Sequence, residues 1–140
     1  MENWELSARE RIRDSFARYT HPGDHFPLQD LSDAFCEDGV LEFGELEVRG
    51  RAQIHQFRAD ARARSGSLDP GRILRHNVTN IWFQSVTPEE ARVLSCYTVY
   101  SEIGLDHFGR YRDRFVPVGD DWLIAHREVT MDWSEAQSQF

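Results

Sequence analysis

The hydrophobic period of this chain changes once, near its middle, and that change restricts the fold more than any other feature. Before the stretch Ser65-Gly66-Ser67-Leu68-Asp69-Pro70-Gly71, apart from one short hairpin, the apolar residues recur at helical intervals. After it they alternate every second residue. Leu6, Ile12, Phe16 and Tyr19 predict a first helix, ended by Pro22-Gly23. A shorter helix over 28–35 follows, closed by an acidic turn at Glu37-Asp38-Gly39. Val40-Leu41-Glu42-Phe43 and Leu46-Glu47-Val48 read as a hairpin around Gly44-Glu45. A third helix spans 51–64, with Ile54 and Phe57 on one face and Arg58, Arg62 and Arg64 on another that reads as solvated. The serine- and glycine-rich stretch itself is a loop.

Four long strands then cover 73–83, 91–103, 109–118 and 122–133. Thr87-Pro88-Glu89-Glu90, Gly104-Leu105-Asp106-His107 and Gly119-Asp120-Asp121 separate them with turn chemistry. Links this short cannot hold crossover helices, so this half of the sheet is antiparallel. Helices first and a strand meander second is an α+β pattern. Strands of this length curl, and the helices then close the concave side. One domain is expected over 1–140, with its core at about 5–133 and a frayed tail from Ser134 onward. Both faces of 91–100 are fairly apolar, which predicts a homodimer through the outer face of the sheet.

Composition removes several classes of function. Sixteen basic against twenty-four acidic residues give a net charge of −8, so nucleic acid and anionic membranes are poor partners. All of the basic residues are Arg, which rules out a Schiff-base or phosphate-loop lysine. No apolar run of eighteen residues and no secretory signal is visible, and Cys36 and Cys96 form no CxxC, so a cytoplasmic protein with reduced thiols is expected. His21-x3-His25 is interrupted by Pro22-Gly23, and no metal-ligand cluster, nucleophile elbow or dinucleotide motif is present. Neither a metal nor an organic cofactor is expected.

Two positions remain as chemistry. On the strand at 109–118, Tyr111, Asp113 and Phe115 share a face opposite Arg110, Arg112 and Arg114. A carboxylate on the aromatic face is costly unless it is paired, with Arg75 or Arg127, or functional. His76 shares a strand face with Leu74, Val78 and Trp82. If Asp24 curls back over the sheet to meet it, the carboxylate orients the ring, fixes its tautomer and raises its basicity.

The order of elements and a set of local motifs together resemble the SnoaL-like branch of the nuclear-transport-factor-2-like superfamily. The motifs are Tyr19-x4-Asp24, Phe35-Cys36-Glu37-Asp38-Gly39-Val40-Leu41, Arg49-Gly50-Arg51-x2-Ile54, Arg75-His76-x3-Asn80, Gly109-Arg110-Tyr111-x-Asp113 and Trp122-x-Ile124-x-His126-Arg127. The resemblance implies a cystatin-like cone, and the chain is similar to dehydratases of the scytalone and bile-acid 7α types. There the Tyr, Asp and His roles fall on Tyr19, Asp24 and His76; the carboxylate on the aromatic strand face, Asp113, is read beside them as a second acid or base. Phe43, Trp82, Tyr97, Tyr111 and Phe115 are then the substrate-binding surface. Phe43 stands where ketosteroid isomerases carry their base, and Tyr111 precedes Arg112-Asp113 where epoxide hydrolases of the limonene type need another pattern. The expected activity is cofactor-independent dehydration of a hydrophobic, ring-containing, oxygenated small molecule. A polyketide or terpenoid cyclase or isomerase, and a non-catalytic binding or subunit-stabilising module, are the alternatives on this fold.

Overall fold

The structure is a computed structural model and describes residues 1–24, 28–65 and 72–140. Helix α1 (Asn3–Asp24) buries Ala8, Ile12, Phe16 and Tyr19, a stripe with helical spacing. Leu6 lies off that stripe and is 50% exposed. The helix does not end at Pro22-Gly23. Pro22 sits in its last turn, where the missing N–H costs a single hydrogen bond, and the helix continues to Asp24. Arg62 donates to the Pro22 carbonyl. Helix α2 (Leu28–Asp33) is shorter than its pattern suggested, because Phe35 already belongs to strand β1 (Phe35–Phe43). The acidic segment 37–39 is an irregularity within β1 and not a turn: the register with its neighbour shifts between Phe35 and Val40, leaving Glu37 and Asp38 exposed. The hairpin to β2 (Leu46–Arg49) and helix α3 (Arg51–Arg64), entered through Gly50 at φ 88°, follow as expected.

Strands β3 (Leu74–Val86), β4 (Ala91–Ser101), β5 (Gly104–Val118) and β6 (Asp121–Ser134) complete a six-stranded sheet in the order β2-β1-β6-β5-β4-β3. The pairing of β1 with β6 is parallel and every other one antiparallel. The sheet is mixed and open, with β2 and β3 at its edges. The turn between β4 and β5 falls at Glu102-Ile103, with Gly104 at φ 97°, so Leu105, Asp106 and His107 are strand residues. The last residues are no frayed tail either. Glu135 N–H donates to the Asp106 carbonyl, and Ser138 donates to the Asp106 carboxylate at 2.6 Å.

Two local devices set which side chains face inward. Asn80 adopts φ 52°, a left-handed conformation that Asn tolerates, within a register shift between Thr79 and Trp82. The alternation of β3 therefore inverts: Leu74, His76 and Val78 face the core, then Ile81 and Phe83 do, and Trp82 stands 61% exposed outside. At Gly109 the Tyr97 side chain crosses β5 and its hydroxyl donates to the Thr130 carbonyl at 3.2 Å. A Cβ on Gly109 would lie 2.7 Å from that hydroxyl and 1.8 Å from the carbonyl oxygen, so only glycine fits.

The core is aromatic where α1 meets the sheet. Phe16 packs on Phe115 at 5.5 Å between ring centroids, and Tyr19 meets Phe35 and Tyr111 edge-on. Asp113 lies opposite Arg127 in the β5–β6 register, and both side chains are fully buried.

Candidate active site

Between α1, α3 and the concave face of the sheet is a cavity of about 350 Å³. Tyr19, Leu41, Phe43, Phe57, Tyr97 and Tyr111 supply most of its apolar wall. Tyr97 and Tyr111 stack at 4.6 Å between centroids, which makes a flat floor. His76 and His107 are the imidazoles that line it.

His76 and Asp24 meet. The Asp24 carboxylate lies 2.5 Å from His76 Nδ1 and accepts the His76 backbone N–H at 3.0 Å. Both side chains are largely buried, at 10% and 5% exposure. The sequence folds this way because α1 extends past Pro22 to deliver Asp24, and β3 is an edge strand with N–H groups left unpaired by β4. With Nδ1–H donated to the carboxylate, Nε2 is the free basic nitrogen. No hydrogen bond from the Tyr19 or Tyr111 hydroxyl forms among the described residues, and both rings line the same cavity. Burial pushes the Tyr111 hydroxyl well above the ordinary tyrosine range, with Tyr19 beside it adding to the shift. The Tyr97 hydroxyl rises for the same leading reason.

Three expected site residues lie elsewhere. Asp113 sits behind the tyrosine layer, with both oxygens accepting from Arg127, Nε at 2.8 Å and Nη2 at 2.7 Å. It is a strut in this geometry, and the wall of the aromatic cavity does not include it. Burial raises the Asp113 carboxyl despite the pull of Arg127. Arg127 keeps its proton: burial opposes the charge, and the facing carboxylate more than offsets this. Its guanidinium is caged by the rings of Tyr111 at 4.1 Å, Tyr19 at 4.3 Å and Phe16 at 5.0 Å, so the pair holds the tyrosines from behind. Phe115 is fully buried below the cavity against Phe16, and Trp82 is outside because of the Asn80 inversion.

The sequence pattern missed a second histidine–carboxylate pair. His107 Nδ1 lies 2.6 Å from Asp106 Oδ1, and that buried carboxylate also accepts from Ser101 at 2.7 Å and from Ser138. Burial lowers the His107 pKa, against the opposing pull of Asp106. Burial also opposes the charge on Asp106, but its three hydrogen bonds prevail and hold its carboxyl below the usual range. The apolar residues on either side, Leu105 and Phe108, were a strand signal that the turn-like Gly104 obscured. Also unforeseen are Arg58, Arg62 and Arg64, which line the cavity, Arg64 at an exposed position, and Gln139 and Phe140, which the tail brings to it.

These features define a class: an open α+β cone with an aromatic cavity and a buried histidine–carboxylate pair. The chain belongs to the SnoaL-like domain family, whose profile matches residues 4–128. No curated protein matches the sequence. Among solved structures it is similar to a protein of unknown function from Mycobacterium tuberculosis, 26% identical with a TM-score of 0.75, over 94% of this chain and 76% of that one. It is also similar to a candidate scytalone dehydratase from Novosphingobium aromaticivorans, 20% identical with a TM-score of 0.80, over 96% and 91% of the two chains. The β subunit of a candidate aromatic-ring-hydroxylating dioxygenase from the same organism shares the fold, 16% identical with a TM-score of 0.75, over 96% and 94%. Among the described residues no helix is long and apolar enough to cross a membrane, and no three His, Cys, Asp or Glu side chains gather as a metal-ligand set.

Proposed function

We propose that the chain is a cofactor-independent dehydratase acting on a ring-containing, oxygenated small molecule. The observation that carries this reading is the Asp24–His76 pair, with His76 on the wall of an aromatic cavity that Tyr19 also lines. His76 Nε2 takes the proton from the carbon next to a substrate carbonyl. The C–H electron pair moves onto the carbonyl oxygen, and Tyr19 donates a hydrogen bond to the enolate so formed. When the enolate collapses, the carbon–oxygen bond at the β position breaks, and the departing hydroxyl takes the proton back from the imidazolium to leave as water. His107, neutral and on the same cavity, is the second proton-transfer group in place of Asp113. The resemblance to a candidate scytalone dehydratase supports the reaction type at the level of fold. A cyclase or isomerase would use the same base and enolate contact.

A specific observation favours a second role for the outer face. Trp82, Tyr100, Phe108 and Trp133 stand exposed on the molecule, with Phe108 and Trp133 stacked at 5.5 Å. A homodimer through this face covers them, and a subunit-stabilising module would offer the same surface to another chain.

The test is a panel of β-hydroxy ketones on fused or single rings, each with and without a ring carboxylate, read by mass spectrometry for loss of one water. Turnover by wild type that His76→Ala abolishes supports the dehydratase; unchanged mass across the panel, or equal turnover by both proteins, overturns it.

A further inference from the structure

Most arginines outside the cavity sit against carboxylates, from Arg9 with Glu5 to Arg110 with Asp132. The cavity departs from that rule. Arg58, Arg62 and Arg64 line it from the last two turns of α3, and no Asp or Glu among the described residues does. Arg58 and Arg64 form no ion pair among the described residues, and Arg58 approaches the Tyr19 ring at 5.8 Å from its centroid. Arg62 is committed, donating to the Pro22 carbonyl. Burial and the neighbouring charge of Arg58 both weaken the hold of Arg62 on its proton. The bland explanation is a helix C-terminus, where cations complement the dipole. That accounts for Arg62 and Arg64 in the last turn, but not for Arg58, which lies a turn earlier, half-buried and facing the aromatic wall.

A cavity with unbalanced cations in a chain of net charge −8 is built for an anion. We propose that the ligand of this cavity carries an acidic group on its ring system, received by the Arg58 guanidinium, with Arg64 drawing it in at the rim. The ring then lies on the Tyr97–Tyr111 floor. The guanidinium fork suits a planar carboxylate, which it can hold through two parallel hydrogen bonds. The inference rests on the small-molecule reading of the cavity and does not require the dehydration chemistry. It names what the acid/base pair acts on: a ring-borne acid and not a neutral hydrocarbon-like ketone.

The test uses two fluorescent probes that share their rings, 8-anilinonaphthalene-1-sulfonate and the uncharged N-phenyl-1-naphthylamine. The charged probe is expected to bind wild type about tenfold more tightly, with an affinity that weakens as salt rises. Arg58→Gln should weaken the charged probe about tenfold and leave the uncharged one within twofold; Arg58→Lys should restore most of the loss. Arg64→Gln, at an exposed position, gives the same sign with a smaller change and serves if Arg58→Gln does not fold. Equal affinities of wild type for the two probes, or an Arg58→Gln loss shared equally by both, overturns the proposal. His76→Ala separates the two readings: it keeps the charged probe within twofold even where it abolishes turnover.

Discussion

The Asp24 carboxylate grips His76 twice, once at ring Nδ1 (2.5 Å) and once at the backbone N–H (3.0 Å). The second contact fixes the strand that carries the ring, so His76 is held at both its backbone and its Nδ1 edge, with Nε2 left free. A positioned base contributes about 10²–10⁴ in rate. His76→Ala should therefore lose at least about a hundredfold in turnover while its circular dichroism spectrum is retained. A His76→Ala protein with near-full turnover would remove the pair from the mechanism.

Asp24→Asn tests the grip itself. The amide keeps the shape but offers one accepting oxygen where the carboxylate offers two. Turnover should fall about a hundredfold or more, with KM changed much less than kcat. A loss confined to KM would assign Asp24 to binding.

Asp113→Asn should behave as a lesion in the frame. Breaking a fully buried pair leaves the Arg127 charge uncompensated, at a cost of about 3 kcal/mol. For a chain of this size that lowers the melting temperature by about 10 °C. A level or raised melting temperature with lost turnover would return Asp113 to catalysis.

His107 gives the stability a pH dependence. Its folded pKa lies below the ordinary value of about 6.5, so as pH falls the unfolded chain takes up a proton first. Stability is then lost as pH drops through about 6.5, and denaturant midpoints should fall between pH 7 and 5. His107→Asn should flatten that slope. Asp106, held below its usual range, acts in a separate window: its contribution is present above about pH 4 and is lost at lower pH.

The outer aromatic face predicts association. Sedimentation or light scattering at micromolar concentration should give the mass of two chains, and Trp82→Glu should shift it toward one. A wild-type mass of one chain overturns the dimer.

Much of this is legible in the sequence, for reasons particular residues make plain. The period of two along β5 fixed Tyr111, Asp113 and Phe115 on one face, and Arg127 was already among the partners such a carboxylate needs. Trp82 was misplaced because one left-handed residue, Asn80, reverses the faces of β3, and alternation alone cannot show that reversal. Asp113 and Phe115 were on the correct face but one layer too deep, since a period of two gives the side and not the depth. His107 and the arginines of α3 were missed because the cavity is assembled from a strand start, a helix end and a tail far apart in sequence.

Gly109 bears on how such a cavity can change. The Tyr97 ring reaches its place across a residue with no side chain, and the Thr130 carbonyl occupies the room that any Cβ would need. The floor is thus inherited as a unit: Tyr97 and its stacked neighbour Tyr111 stay only while position 109 carries nothing. The α3 rim has no such constraint, since Arg58 and Arg64 can be exchanged without disturbing a strand. New ligand preferences in descendants of this chain are therefore expected to arise at the rim, on a floor held constant by a residue that touches no ligand.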